Sequence, residues 1–187
     1  MIRPLVSLLS GLALSTLSFA QTTPPAPLDF SNPYAVFAPL LGKTFYGVST
    51  DPASPEVTDT QRFSLALGGQ AIRIEHALGD GCYGGETIVF FDPARQTLIY
   101  HYFTTAGFHT IGEIFPVELG GYSAVETVEG HPEITRVRAD VRVRERGLAT
   151  RTAYERNGEW EIGHGFDYVE APQAEIVLNP DGAACAG

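Results

Sequence analysis

Hydrophobic and polar residues alternate with a period of two along most of the chain between Lys43 and Val169. Successive side chains of a β-strand point to opposite faces, so this pattern predicts strands that are buried on one side only. The clearest case is Ile134–Arg144, where four arginines and an aspartate alternate with three valines and an alanine. The chain is therefore expected to be mainly β-structure, with one polar and one apolar face along each strand.

Turn residues divide this region into about ten strands, each joined to the next by a short connection. The predicted strands are Lys43–Ser49, Glu56–Leu67, Gln70–Leu78, three strands within Glu86–Phe115, Tyr122–Val128, Ile134–Arg144, Ala149–Arg156 and Glu159–Val169. No segment among them has the length or the 3.6-residue period of a crossover helix, so parallel βαβ units are excluded. Since an open meander would leave two unpaired edges, the predicted fold class is all-β, an antiparallel up-and-down β-barrel of about 8–10 strands. A two-sheet sandwich is the alternative.

One short helix is predicted before the first strand. Apolar residues between Leu28 and Leu41 recur with a period close to 3.6. Ser31 stands at a possible N-cap position, and Pro33 stands at an early helical position, where proline is favoured. Pro39 predicts that the helix is irregular near its end. We expect this short N-terminal helix to lie across one end of the barrel.

The beginning of the chain has the pattern of a cleavable secretory signal peptide. Arg3 precedes an apolar run from Leu5 to Leu17, and Ser18-Phe19-Ala20 is a small-x-small cleavage site. The predicted organisation is a signal peptide at 1–20, a Pro-rich linker at 21–27, the barrel domain at 28–172 and a C-terminal tail at 173–187. The protein is therefore expected to be periplasmic or secreted, without membrane insertion.

The charge of the chain limits its partners. The 187 residues carry a formal net charge of −10 at pH 7. An acidic protein repels phosphate backbones and anionic lipid surfaces, so we expect no nucleic-acid partner. A monomer or weak dimer is expected.

Two cysteines, Cys82 and Cys185, follow the predicted cleavage site. In an oxidising compartment they are able to pair, which would tie the C-terminal tail to the loop around Gly79–Gly85. We predict this disulfide, with two free thiols as the alternative. A catalytic thiol is not indicated, because no base lies near Cys82 in the sequence.

Three segments resemble the lipocalin-like (calycin-type) barrels, in particular exported bacterial proteins of that shape with no established function. They are Leu41–Gly47 at the start of the first strand, the Leu67-Gly68-Gly69 turn and the aspartate-containing hairpin after Phe90-Phe91-Asp92. The resemblance covers roughly residues 37–169. It implies a cup that holds a small, mostly apolar ligand, and it carries over no catalytic residues.

Two histidines flank the turn Thr105-Ala106-Gly107. A three-residue loop would pair Thr104 with Phe108 and would place His101, His109 and Glu113 on one face. A two-residue loop would put the two histidines on opposite faces. In the first register the three side chains are able to bind a metal or move a proton, although no HxH or HExxH spacing supports a metal site and none is predicted.

The sequence therefore favours a barrel that binds a small hydrophobic or aromatic molecule in its interior. Six residues are predicted ligand contacts: His76, Tyr100, His101, Tyr102, His109 and His164. The competing interpretation is that the histidines lie on the surface or in the core and contact no ligand. The alternative function is a barrel enzyme, an isomerase, cyclase or hydrolase, that uses a His/Glu pair such as His101 and Glu113. No cofactor is predicted.

Overall fold

The computed structural model of the protein describes residues 32–117 and 120–179. The predicted signal peptide, the linker, the first residues of the predicted helix and Cys185 lie outside the described residues. The strands are β1 (Thr44–Ser49), β2 (Thr58–Ala66), β3 (Ala71–Leu78), β4 (Gly84–Asp92), β5 (Thr97–Thr104), β6 (His109–Pro116), β7 (Gly121–Glu129), β8 (Ile134–Arg144), β9 (Gly147–Arg156) and β10 (Glu159–Glu170). No helix in the described ranges is long and apolar enough to cross a membrane.

The ten strands form one closed antiparallel barrel. Each strand pairs with its neighbours in the chain, and β1 pairs with both β2 and β10. Closure satisfies the backbone groups that an open meander would leave unpaired at its edges. The predicted all-β, up-and-down antiparallel barrel is confirmed, and its shape is consistent with that of the lipocalin-like proteins.

The two ends of the barrel differ. The connections after β2, β4, β6 and β8 lie at one end, which we call the closed end, because the segment before β1 covers it. There the Phe37 ring is fully buried and packs against Tyr122, with 5.2 Å between ring centroids. The Tyr34 hydroxyl donates to the Gln70 carbonyl at 2.6 Å and accepts the Phe91 N–H at 3.0 Å. The other five connections lie at the opposite end, which we call the open end.

The helix predicted before β1 is not confirmed in the described residues, where this segment contains one short 3₁₀ helix, Ala35–Phe37. Pro39 provides the reason. It has no N–H to donate to the Ala35 carbonyl in an α-helical bond, so that carbonyl accepts the Ala38 N–H at 3.1 Å instead.

Apolar side chains fill the closed half of the barrel. The fully buried ones on the strands are Phe45, Phe63, Ile72, Val89, Leu98 and Leu148. They form one cluster with Phe37 and Leu40. Since burial of apolar surface is the dominant favourable term in folding, this half supplies most of the stability of the barrel.

A β-bulge divides the last strand into two parts with different orientations. Ile162 pairs with Ala153 and Gly165 with Arg151, so β10 has one more residue than β9 between these pairs. An extra residue reverses the inward and outward positions that follow it. Trp160 and Ile162 therefore face outward, while Phe166 lies against the core. Strict alternation along Glu159–Val169 would place Trp160 and Tyr168 on the same face, and the bulge is the reason that they lie on opposite faces.

Candidate functional site

The open half of the barrel contains a cavity of about 490 Å³. This volume lies within the range of about 300–1,000 Å³ that is usual for small-molecule sites. Its apolar walls come from alternate residues of β7 and β8, including Ala124, Val137, Ala139 and Val141. The polar side chains are gathered toward the open end. The cavity thus has an apolar floor and a polar upper wall.

A chain of hydrogen bonds begins at Asp59, whose side chain is only 2% exposed. Its Oδ1 lies 2.9 Å from Nδ1 of His76, and Nε2 of His76 lies 2.7 Å from the Tyr102 hydroxyl. The Tyr102 hydroxyl is 3.1 Å from that of Tyr83. The second carboxylate oxygen, Oδ2, accepts the Tyr168 hydroxyl at 2.8 Å. The carboxylate therefore holds one edge of the imidazole, while the other edge meets the tyrosines on the cavity wall.

The direction of each hydrogen bond in this network follows from which groups are able to donate and which only accept. A carboxylate accepts only, so His76 carries its proton on Nδ1 toward Asp59. When Nε2 carries no proton, it accepts a hydrogen bond from the Tyr102 hydroxyl; when Nε2 carries one, it donates, and the Tyr102 hydroxyl donates to that of Tyr83. In both arrangements Asp59, His76 and Tyr102 keep their hydrogen bonds to one another.

A second polar group centres on Glu126. Its Oε2 accepts the Tyr100 hydroxyl at 2.8 Å and also the Thr110 hydroxyl. Burial raises the pKa of the Glu126 carboxyl, and the two hydroxyl donors oppose this increase only in part. Burial likewise raises the pKa of the Tyr100 and Tyr102 phenols far above their ordinary value, so both remain neutral hydrogen-bond donors.

Glycines on the intervening strands allow these tyrosines to reach their partners. In register, Gly47 stands between Tyr168 and Asp59, and a Cβ on Gly47 would lie 2.5 Å from the Tyr168 ring. Gly112 stands between Tyr100 and Glu126 in the same way, with 2.7 Å to the Tyr100 ring.

Gly85 gives the same access to His76. It pairs with His76 across β3 and β4, and a Cβ there would lie 2.6 Å from the Tyr102 ring. In all three cases an inward tyrosine crosses one strand over a glycine and bonds to a polar side chain on the strand beyond. The absence of a side chain at each crossing is thus what permits the network.

Aromatic side chains surround the mouth of the cavity. His164 is largely exposed and packs edge-on against Tyr154, with 5.9 Å between ring centroids. Phe108 packs edge-on against His131 at 5.3 Å. Arg156 lies over the Tyr154 ring at 5.6 Å, and its Nη1 is 2.6 Å from the Glu161 carboxylate. The entrance is therefore mainly aromatic, and its arginine is already paired.

Four of the six predicted ligand contacts line the cavity: His76, Tyr100, Tyr102 and His164. His101 and His109 lie elsewhere. The connection between β5 and β6 is the three-residue loop, because Thr104 N–H donates to the Phe108 carbonyl and Gly107 has a φ of +83°. In this register the two histidines share a face, but it is the outer face of the barrel.

On that outer face the two histidine rings stack on Phe103, with centroid distances of 6.2 Å for His101 and 6.0 Å for His109. Glu113, the suggested catalytic partner, forms an ion pair with Arg95. None of the three lines the cavity. In the described part of the chain, no group of three or more His, Cys, Asp or Glu side chains is arranged to hold a metal ion.

Asp59, Tyr83, Thr110, Glu126 and Tyr168 are site residues that the sequence analysis did not single out. The sequence does indicate Glu126 as a candidate, because it lies on the apolar side of its strand with Tyr122, Ala124 and Val128. A charged residue at an inward position of an otherwise apolar face is a site candidate. His131, which precedes Pro132 in a turn, also lines the mouth.

The C-terminal tail approaches the loop that carries Cys82. The Asn179 N–H donates to the Gly81 carbonyl at 2.9 Å, and the Asn179 side-chain amide donates to the Asp80 carbonyl at 2.7 Å. Cys185 lies outside the described residues, so its pairing with Cys82 stays a prediction. The course of the tail up to Asn179 is compatible with it.

Comparison with known proteins adds no further indication of function. No protein-family model matches the chain, and no curated protein matches it significantly. The function is therefore argued from the geometry of the cavity.

Proposed function

We propose that the protein binds a small, mostly aromatic or apolar molecule in the open half of the barrel. The observation that carries this proposal is the cavity of about 490 Å³, which lies beside the buried apolar cluster of the closed end. A mainly apolar cavity of this size lowers the stability of the fold if it stays empty, because the side chains that line it lose packing contacts. The polar groups at its upper wall would orient the bound molecule.

A neutral fluorescent aromatic, N-phenyl-1-naphthylamine, tests this proposal. We expect saturable binding by the wild type, seen as an increase in dye fluorescence. Ala139→Phe places a ring in the cavity and should weaken dye binding at least about tenfold, because the ring occupies the space of the ligand. Ala153→Phe is the matched control, since Ala153 pairs with Arg138 on the outer face.

The proposal fails if the wild type does not bind the dye, or if Ala139→Phe binds it as tightly as Ala153→Phe does. Circular dichroism of both variants shows whether the barrel is retained.

A second candidate function, acid–base catalysis, rests on the hydrogen-bonded chain from Asp59 through His76 to Tyr102. An isomerase, cyclase or hydrolase would need such a group to move a proton at the cavity wall. Native mass spectrometry of protein purified from its host would identify a retained ligand. A catalyst would convert that ligand on incubation whereas His76→Gln protein would not; a binding protein would return it unchanged in both cases.

We also propose that the protein belongs with the lipocalin-like exported proteins and works outside the cytoplasm. The closed barrel with a cavity at one end supports the first part, and the signal-peptide pattern of 1–20 supports the second. Amino-terminal sequencing of the protein from its host should find Gln21 as the first residue. Retention of Met1 would contradict export by cleavage.

A further inference from the structure

The charged groups of the cavity suggest which head group the ligand carries. Within the described residues, the cavity lining contains two carboxyl groups, Asp59 and Glu126, one guanidinium group, Arg156, and no lysine. Arg156 is paired with Glu161 at 2.6 Å and lies 3.9 Å from Glu133. Its charge is thus already compensated at the mouth. Below the mouth, the polar upper wall therefore contains two carboxyl groups and, among the described residues, no lysine or arginine.

The two carboxyl groups differ in their partners. Asp59 is bonded to His76, a side chain that is able to take a positive charge, and to the Tyr168 hydroxyl. Glu126 is bonded only to neutral hydroxyl groups, those of Tyr100 and Thr110, within the part of the chain described. Both of these hydroxyls meet the same oxygen, Oε2. Glu126 therefore faces the cavity with no cation from the described residues beside it.

A carboxylate removed from water is unfavourable unless a positive charge compensates it. Burial raises the pKa of Glu126, which is the expected sign of this cost. A ligand that brings a cation would remove the cost and would gain a charge-assisted hydrogen bond. The rings of Tyr83, Tyr102 and Tyr154 in the cavity wall add favourable surfaces for a cation. An anionic head group would meet two carboxyl groups and is disfavoured.

We propose that the cavity binds an amine: an aryl or apolar group on the floor, and a protonated primary or secondary amino group bonded to the Glu126 carboxylate. This inference rests on the proposed binding function and specifies the ligand class. An amine with at least one N–H is required, because a carboxylate only accepts hydrogen bonds. The net charge of −10 would also attract cationic ligands toward the protein.

Three compounds that share a phenyl ring and a two-carbon chain test the proposal: phenethylamine, 2-phenylethanol and 3-phenylpropionate. Isothermal titration calorimetry of the full chain should show phenethylamine binding at least about tenfold more tightly than the alcohol, and the carboxylate most weakly. Glu126→Gln should reduce the affinity for the amine to about that for the alcohol. Glu129→Gln removes the same charge from an exposed position of the same strand and should leave the amine affinity unchanged.

The ranking of the three compounds on the wild type needs no variant, so it decides the matter even if Glu126→Gln does not fold. Equal or tighter binding of the alcohol overturns the amine proposal and leaves the binding function standing. Equal loss of amine affinity in Glu126→Gln and Glu129→Gln also overturns it. If none of the three binds at millimolar concentration while the fluorescent dye does, the amine proposal fails alone; if the dye fails too, both proposals fail.

Discussion

Glu126 and Asp59 show how the same local arrangement supports two inward carboxyl groups. Each accepts a hydroxyl from a tyrosine two strands away, and a glycine on the strand between them makes room for the ring. They differ in the second partner, which is a hydroxyl for Glu126 and an imidazole for Asp59. Glu126 therefore has only neutral partners among the described residues, and burial raises its pKa, so its ionisation is unfavourable in the folded state.

The pH dependence of stability should report this cost. Burial raises the pKa of Glu126 in the folded protein, so the folded state keeps this proton at pH values where the unfolded chain, with a pKa of about 4.3, has lost it. The contribution of Glu126 to the free energy of unfolding therefore falls as pH rises from about 4.3 through the folded-state pKa.

We thus expect Glu126→Gln to lose less stability than the wild type as the pH rises above about 4.3. Urea unfolding at several pH values measures this difference. Glu129→Gln should follow the wild type. Parallel curves for the wild type and Glu126→Gln would contradict the prediction.

Gly47→Ala tests the crossing of Tyr168 over β1. The new methyl group would lie 2.5 Å from the tyrosine ring, so the ring must move and its bond to Asp59 is strained or lost. We expect a loss of about 1–3 kcal/mol in the free energy of unfolding. In a Tyr168→Ala background the clash is absent, so Gly47→Ala should cost much less there. Equal costs in both backgrounds would show that the glycine is needed for another reason.

At the scale of elements, the segment before β1 acts as a cover for one end of the barrel. Pro39 prevents a regular helix, but the segment still places Phe37 and Leu40 inside the closed end. Two hydrogen bonds of the Tyr34 hydroxyl fix its position, one to the Gln70 carbonyl just before β3 and one from the Phe91 N–H in β4. Burial of these side chains, rather than helical hydrogen bonding, therefore determines where the segment lies.

Phe37→Ala should show how much this cover contributes. The ring is fully buried and packs on Tyr122, so its removal is expected to lower the free energy of unfolding by about 3–5 kcal/mol. Leu67→Ala is the control, because Leu67 lies at the same end but is 74% exposed. Its loss should stay below about 0.5 kcal/mol. Similar losses for the two variants, measured by urea unfolding, would contradict the assigned role of Phe37.

The whole molecule divides stability and binding between its two halves. Ile114, Tyr122 and Val141 belong both to the apolar cluster and to the cavity lining, so the two halves meet at the cavity floor. Leu40 is buried at the closed end and is not part of that lining. We therefore expect Leu40→Ala to lower stability while the folded fraction keeps its affinity for the dye.

The predicted disulfide is also a property of the whole molecule, because it would join the end of the chain to the connection between β3 and β4. If Cys82 and Cys185 pair, Cys82→Ser and Cys185→Ser should each lower the free energy of unfolding by about 2–4 kcal/mol. The double variant should be no less stable than either single one, since one bond is lost in all three. Alkylation of both thiols in unreduced protein, detected by mass spectrometry, would contradict the pairing.

The strands, their turns and the antiparallel barrel followed from the sequence alone. The period of two and the turn residues are local properties, and the lack of a crossover helix left few ways to connect the strands. The alternation places His76 on the apolar side of its strand, and it places Tyr100 and Tyr102 together on one face of theirs. A single extra residue in β10 could not be read from the alternation, because Gly163 and Gly165 have no side chains to reveal a change of face.

Only the tertiary structure decided which histidines meet the cavity and which groups bond across it. His101 and His109 satisfied the predicted register, yet closure of the barrel placed their face outside. Asp59 and Tyr168 are 109 positions apart and meet only because β1 lies between their strands in the closed sheet. Local pattern specifies each strand and its two faces, whereas contacts across the interior depend on the curvature and closure of all the strands together.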